Sequence, residues 1–218
     1  MRALIVAHGQ PSDPGPAARA LEALAGRVAV DLPGWQVAAA TLAEPGRLAE
    51  TAKGEGLLFP LFMASGWFTR KAIPARLAEA GAGDWQMLTP LGEMQSFQDL
   101  AVTVARESGA ARLVLAAHGS GKAPEPAAIA DHVAGRISAE AGIAAEARFI
   151  DHRPQLLEAT GYGPDSACLP YFAMSGEHVE RDIPDALARA GFQGRILPAL
   201  GLDVRVPGLI AAALRAAL

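Results

Sequence analysis

The sequence predicts an α/β fold of two similar lobes, each a parallel four-stranded sheet flanked by helices, and three observations carry that prediction. Apolar runs of strand length alternate with segments of helical period along the whole chain. The alternation passes through twice, the second pass displaced from the first by 110 residues. The strongest apolar run, residues 56–63, shows no polar alternation, as expected of a strand covered on both faces by crossover helices.

The first strand, residues 2–7, delivers His8-Gly9 at its end. Pro14 and Pro16 lead into a helix of about 14 residues, with Leu21, Leu24 and Val28 at i, i+3 and i+7. Residues 35–42 read as a second strand, Glu44-Pro45 as the turn into a short helix, and residues 56–63 as a third strand ended by Ser65-Gly66. Ile73-Pro74 opens a helix running to Gly81, residues 85–89 form a fourth strand, and a helix follows from about Ser96 to Gly109.

The elements then start again. Residues 112–117 deliver His118-Gly119, an offset of 118 − 8 = 110. At the same offset, residues 169–191 align with 59–81 and share ten of 23 positions, including Pro60/Pro170, Ser65/Ser175, Gly66/Gly176, Ile73/Ile183 and Pro74/Pro184. The repeat divides the chain into lobes 1–109 and 110–218, with the helix before the boundary able to pack on either. The unit is far too long for a solenoid, and two such lobes offer a ligand the cleft between them.

Composition narrows the functional classes. With 51% hydrophobic and 19% charged residues the chain has ample material for a core. A net charge of −4 gives no general attraction to nucleic acid or anionic lipid. Cys168 is the single cysteine, which rules out an internal disulfide, a zinc ribbon and a four-cysteine cluster, and its apolar setting suits a small core residue. The apolar run at residues 3–7 is too short for a signal-peptide core or a membrane span, so the expectation is a soluble, cytoplasmic chain.

Residues 169–191, LPYFAMSGEHVERDIPDALARAG, concentrate the chemistry. An apolar strand gives way to Ser175-Gly176, then to Glu177 and His178, then to Asp182-Ile183-Pro184, read as a capping acid and a first-turn proline opening a helix. In an open α/β sheet such a loop stands at the carboxyl end of a strand, where ligands bind. Any one His-Gly is explained by a strand-end side chain bonding to backbone. His118 and His178 together, on adjacent strand ends, suit a borderline divalent metal and can accept protons near neutrality, with Glu177 as a third ligand or relay. The first lobe keeps His8 but has Phe68 and Ala72 where the offset places His178 and Asp182, which points to one site rather than two.

Other ionisable residues carry weaker signals. His152 follows a strand and His132 lies within a helix as a surface or packing residue, while Arg70, Lys71, Lys122, Arg153 and Arg181 sit in or near strand-end loops. Gly119-Ser120-Gly121-Lys122 fails as a phosphate loop in spacing and in having Ala123 for Ser/Thr. There is no dinucleotide fingerprint, no H-E-x-x-H and no G-x-S-x-G, so a hydrolase using Ser120 or Ser175 is disfavoured.

At these residues the chain resembles the sirohydrochlorin chelatases, the CbiX-type class II chelatases of siroheme and cobalamin synthesis. The family's H-G-S strand end and G-x-H-x-x-x-D-I-P segment stand here as His118-Gly119-Ser120 and Gly176-Glu177-His178-Val179-Glu180-Arg181-Asp182-Ile183-Pro184, with a degenerate copy at His8-Gly9-Gln10 and Gly66-Trp67-Phe68. The likeness covers both lobes and is to the double-length form. It implies insertion of a divalent metal, Fe²⁺ ahead of Co²⁺, into a tetrapyrrole without ATP and with no cofactor beyond that metal. His118 and His178 are then the metal ligands and proton acceptors, with Glu177 and Asp182 completing the catalytic set. The macrocycle occupies the cleft, its carboxylates near the helix start at residues 182–184, and His8, Ser120, Ser175 and Arg181 are the candidate substrate contacts. The partners implied are the tetrapyrrole and the metal, and the fusion of two lobes in one chain is compatible with a monomer. The alternatives are a cobaltochelatase of cobalamin synthesis and a non-catalytic metal or tetrapyrrole carrier.

Overall fold

The structure is a computed structural model that describes residues 1–121 and 123–218; Lys122 lies outside them. The first round of elements is β1 (Arg2–Ala7), α1 (Pro14–Val30), β2 (Gln36–Thr41), α2 (Arg47–Thr51), β3 (Leu57–Pro60), α3 (Ile73–Glu79), β4 (Gln86–Met87) and α4 (Gln95–Ser108). The second is β5 (Arg112–Ala117), α5 (Glu125–Arg136), β6 (Ala144–Phe149), β7 (Ser166–Pro170), α6 (Ile183–Arg189), β8 (Arg195–Ile196) and α7 (Val206–Ala216). Each round builds one parallel sheet, in the order β2-β1-β3-β4 and β6-β5-β7-β8. Leu4 of β1 pairs with Ala38 and Leu58, and Val114 of β5 pairs with Glu146 and Cys168. Both sheets are those expected from the alternation of apolar runs and helical segments.

The inner strands β1 and β5 are buried at every position but the first, which is why they read as unbroken apolar runs. The edge strands β4 and β8 pair over only two residues each, shorter than the apolar stretch suggested, which leaves little open edge. Cys168 on β7 is fully buried, and that burial pushes its thiol up, so it packs as a neutral apolar residue.

By contacts the chain divides into unit 1, residues 1–91 with 204–218, and unit 2, residues 92–203. The helix that closes each sequence repeat therefore belongs with the other repeat's sheet: α4 with β5–β8, and α7 with β1–β4. In unit 2, Phe97 of α4 is fully buried against the Tyr171 ring at a centroid separation of 5.6 Å. The Tyr171 hydroxyl donates to the Gly92 carbonyl at 2.8 Å, which also accepts from the Gln98 side chain at 3.1 Å. In unit 1, α7 buries Ile210 and Leu214, and Arg215 donates to the Asp31 carbonyl at 2.6 Å.

The residues identical in the two repeats are largely scaffold. Ile73 and Leu77 of α3 enter the unit 1 core beside Leu4, Val6 and Leu58. Ile183 and Leu187 of α6 enter the unit 2 core beside Val114, Ala116 and Cys168. The paired prolines behave differently from expectation. Helices opening at Ile73-Pro74 and Ile183-Pro184 were predicted, but each is preceded without a break by a five-residue π turn, Phe68–Ala72 or His178–Asp182. The backbone N–H of Ile183 donates to the His178 carbonyl, five residues back, and Ile73 does the same to Phe68. A proline inside a helix lacks an N–H and crowds the carbonyl four residues behind it; a wider turn just before it relieves that conflict.

Among the described residues no helix is long and apolar enough to cross a membrane.

Two glycines fix the strand ends that bear histidines. Gly9 and Gly119 take φ of 75° and 71°, and a Cβ on Gly119 would stand 2.5 Å from the His152 Cβ. Gly119→Ala and Gly9→Ala are each expected to lower unfolding free energy by about 1–3 kcal/mol, the cost of a strained left-handed residue, read from the urea midpoint. Tyr171→Phe is expected to cost about 1 kcal/mol in the same measurement, because the buried Gly92 carbonyl loses its hydroxyl donor.

Candidate functional site

Parallel pairing sets the carboxyl ends of β5 and β7 side by side; His118 follows β5 directly, and His178 opens the π turn that comes after β7. The rings of His118 and His178 meet edge to face, centroids 4.7 Å apart at an interplanar angle of 81°. His118 Nδ1 lies 2.9 Å from the Gly119 carbonyl oxygen, which can only accept, so this nitrogen carries the proton. His178 Nδ1 lies 2.6 Å from Asp182 Oδ2 and donates to that carboxylate. In the neutral form of each ring this bond leaves the Nε2 lone pair for a ligand, the arrangement by which an outer carboxylate or carbonyl orients a metal-binding histidine. The His118 and His178 side chains are 44% and 45% exposed, so a ligand can reach them.

Asp182 does not cap a helix. Its backbone is helical at φ −62°, ψ −41°, it makes no side-chain cap bond, and the helical path has already begun at Glu177. The π turn before Pro184 carries the helix back past Asp182 and frees its carboxylate for His178. The helix start expected at residues 182–184 therefore lies further back, at Glu177.

Asp151 is a member of this group that sequence reasoning passed over. Strand β6 continues beside β5 beyond its last paired residue: Ile150 N–H donates to the Ala117 carbonyl at 3.1 Å and Asp151 N–H to the His118 carbonyl at 2.8 Å. Asp151 Oδ2 then stands 3.6 Å from His118 Nε2. When His118 is neutral with its proton on Nδ1, these are two electron-rich atoms facing each other, and a cation between them is attracted by both. The available signal was the second strand end bordering β5. It was hidden because β6 and β2 are offset by 144 − 36 = 108 rather than 110.

The other residues singled out in the sequence make the following contacts. Glu177 does not turn to the imidazoles: Arg181 donates to its carboxylate at 3.3 Å, both side chains exposed. Ser175 donates to Glu180 at 2.7 Å, and Ser120 accepts from the Ala123 N–H at 3.1 Å. His152 sets its ring edge to face on Phe149 at 5.3 Å, its Cβ against Gly119, while His132 is exposed on α5. Arg153 donates to Glu158 at 3.2 Å. Among the described residues no three or more His, Cys, Asp or Glu side chains are arranged to enclose a metal ion.

Unit 1 repeats the geometry without the polar groups. His8 meets Phe68 edge to face at 4.5 Å and 82°, and its Nδ1 lies 2.8 Å from the Gly9 carbonyl oxygen, matching His118. Phe68 stands for His178 and Ala72 for Asp182. Ala43, whose N–H donates to the His8 carbonyl at 3.0 Å, stands for Asp151.

A family model described as CbiX matches residues 112–217, the repeat that carries both histidines. The solved structure of CbiX, described as the terminal enzyme for biosynthesis of siroheme in denitrifying bacteria, matches at a TM-score of 0.94 and 44% identity, with all of both chains covered. This chain belongs to the CbiX family. Two further structures resemble this CbiX family member in fold. SirB from Bacillus subtilis with Fe³⁺ has a TM-score of 0.73 and 15% identity, over 98% of this chain and 94% of the other. The sirohydrochlorin chelatase SirB of Bacillus subtilis subspecies spizizenii in complex with cobalt has a TM-score of 0.70 and 18% identity, over 98% and 93%. A comparison with the curated proteins gives no match.

Proposed function

We propose that this chain is a sirohydrochlorin chelatase that inserts Fe²⁺ into the tetrapyrrole to give siroheme without consuming ATP. The observation that carries the reading is the pair His118–His178, each with Nδ1 committed and Nε2 bare. The 44% identity over the full length of a relative described as the terminal enzyme of siroheme biosynthesis supports the same substrate and metal.

In this mechanism the ion is a substrate in transit. His118 and His178 receive it through Nε2, and Asp151 adds negative charge beside His118. As two pyrrole N–H groups give way to metal–nitrogen bonds, two protons must leave, and the imidazoles are the bases in place to take them once the ion has moved on. Asp182 holds the His178 ring and stabilises it when it becomes a cation. Glu177, bonded to Arg181, belongs to the rim, a proton route to solvent rather than a ligand, and Arg181 is a cation available to a substrate carboxylate. Ser120, Ser175 and His8 remain candidate contacts to the substrate. Imidazole suits Fe²⁺ and Co²⁺ alike, so the preference for iron rests on the siroheme relative.

Anaerobic metal insertion into sirohydrochlorin, followed by absorbance, tests the reading. The wild type is expected to accelerate insertion over the spontaneous rate, with Fe²⁺ used more efficiently than Co²⁺. His118→Ala and His178→Ala are expected to lower kcat/KM by about 100-fold or more. A wild type that binds both substrates without accelerating their combination is a carrier, and intact acceleration in both variants places the site elsewhere. Asp182→Asn is expected to weaken Co²⁺ binding by about 10–100-fold while His178 remains present, read by titration of the visible cobalt bands.

A further inference from the structure

Unit 1 presents aromatic rings where unit 2 presents ionisable groups. Trp67 and Phe68 occupy the positions of Glu177 and His178, and Trp67 is 67% exposed. Its ring meets Phe68 edge to face at 5.1 Å; Phe68 in turn contacts His8 at 4.5 Å and stacks on Phe62 at 6.0 Å. Phe62 and Phe68 are anchored on the unit 1 core. Trp67 is therefore the outer ring of a continuous, supported aromatic surface, not a lone side chain in solvent. Leaving so large a ring exposed keeps apolar area in water that burial would stabilise, which marks a surface made for contact.

The charge of the segment is inverted as well. Residues 177–182, EHVERD, hold three acids and one Arg, −3 + 1 = −2 with His neutral. Residues 67–72, WFTRKA, hold Arg70 and Lys71 and no acid, +2. Both cationic side chains are exposed. A divalent cation is drawn to the first segment and repelled by the second. A flat π-system edged with carboxylates is drawn to the second, through stacking on Trp67 and pairing with the two cations.

We infer that the Trp67–Phe68 face of unit 1, with Lys71 and Arg70 beside it, binds the tetrapyrrole substrate, Trp67 stacking on the macrocycle and the cations meeting its peripheral carboxylates. The inference rests on the chelatase reading above. It assigns the two substrates to different copies of one segment: the ion to the copy with His178 and Asp182, the macrocycle to the copy with Trp67 and Lys71. Loss of the second imidazole and of both carboxylates from unit 1 is then a change of ligand, not a decay.

The test is titration of the full-length protein with metal-free sirohydrochlorin, together with a separate Co²⁺ titration. Trp67→Ala is expected to weaken tetrapyrrole binding roughly tenfold and to raise KM in the insertion assay to match. Trp67→Phe should recover most of that loss. Lys71→Glu should weaken binding and flatten its dependence on salt, since an attractive pair has been removed. Co²⁺ affinity should stay at the wild-type value in all three variants, which also reports that unit 2 is intact. If wild type binds sirohydrochlorin and inserts metal while Trp67→Ala and Lys71→Glu bind the tetrapyrrole within twofold of it, this surface is not the binding face and the chelatase reading stands. If wild type neither binds sirohydrochlorin nor speeds insertion, both are overturned.

Discussion

Adjacent parallel strands finish at the same edge of a sheet, and the chemistry of this protein depends on that. In the order β6-β5-β7-β8, the strand carrying His118 lies between the strands that deliver Asp151 and His178. The β5–β7 ladder extends to the Tyr171 N–H on the Ala116 carbonyl, the π turn that follows brings His178 against His118, and continuation of the β6 ladder to the His118 carbonyl sets Asp151. The cost is borne at Gly119, where the chain must turn at positive φ with no room for a side chain against His152. The same device stands in unit 1, with Gly9 against Thr41 and Ala43. Geometry of this kind rests on the buried inner strands, and it survives substitution of the side chains it carries. His8 and Phe68 demonstrate that, holding the spacing of the histidine pair with only one imidazole.

Much of this was legible in the residues, for physical reasons. A strand covered on both faces must be apolar throughout, so β1 and β5 can be read to the residue. A duplicated domain must keep its core pegs, so Ile73/Ile183 and Leu77/Leu187 revealed the repeat and its offset. What differed between the copies, rather than what they shared, then pointed to His178 and Asp182. The role of Asp182 was not legible. Asp-Ile-Pro has the local grammar of a helix start, and only the backbone shows that the helix begins earlier and meets the proline with a π turn. Asp151 was obscured by a two-residue difference in offset between β6 and β2, which a single alignment of the repeats cannot show. Glu177, which its position beside His178 recommended, is paired with Arg181 one turn on, the ordinary i,i+4 neighbour on a helical segment.

The assignment of helices to units follows from the same economy. Sheet β5–β8 needs cover near Tyr171, and α4, already close in sequence to β5, supplies Phe97 there. The Tyr171 hydroxyl and the Gln98 amide satisfy one buried carbonyl between them, so the cover is directional as well as apolar. Sheet β1–β4 takes α7 from the far end of the chain, held by Arg215 at the end of α1. Cover supplied in this way ties the two rounds of elements together in a manner that cutting the sequence at the repeat boundary would undo.

A site that passes a metal on must bind it without keeping it. A closed set of four protein ligands stabilises an ion in place, as structural zinc sites do. In the proposed function, two oriented imidazoles with a carboxylate near one of them would leave coordination positions for the incoming pyrrole nitrogens. The exposure of His118 and His178 fits the proposed role. It also explains why the outer partners matter. With so few ligands, the orientation of each ring is fixed by its Nδ1 partner, one a backbone carbonyl and the other the Asp182 carboxylate. The two partners differ in charge: His178 is held by the Asp182 carboxylate, while His118 is bonded to a neutral carbonyl and has the Asp151 carboxylate on its other side.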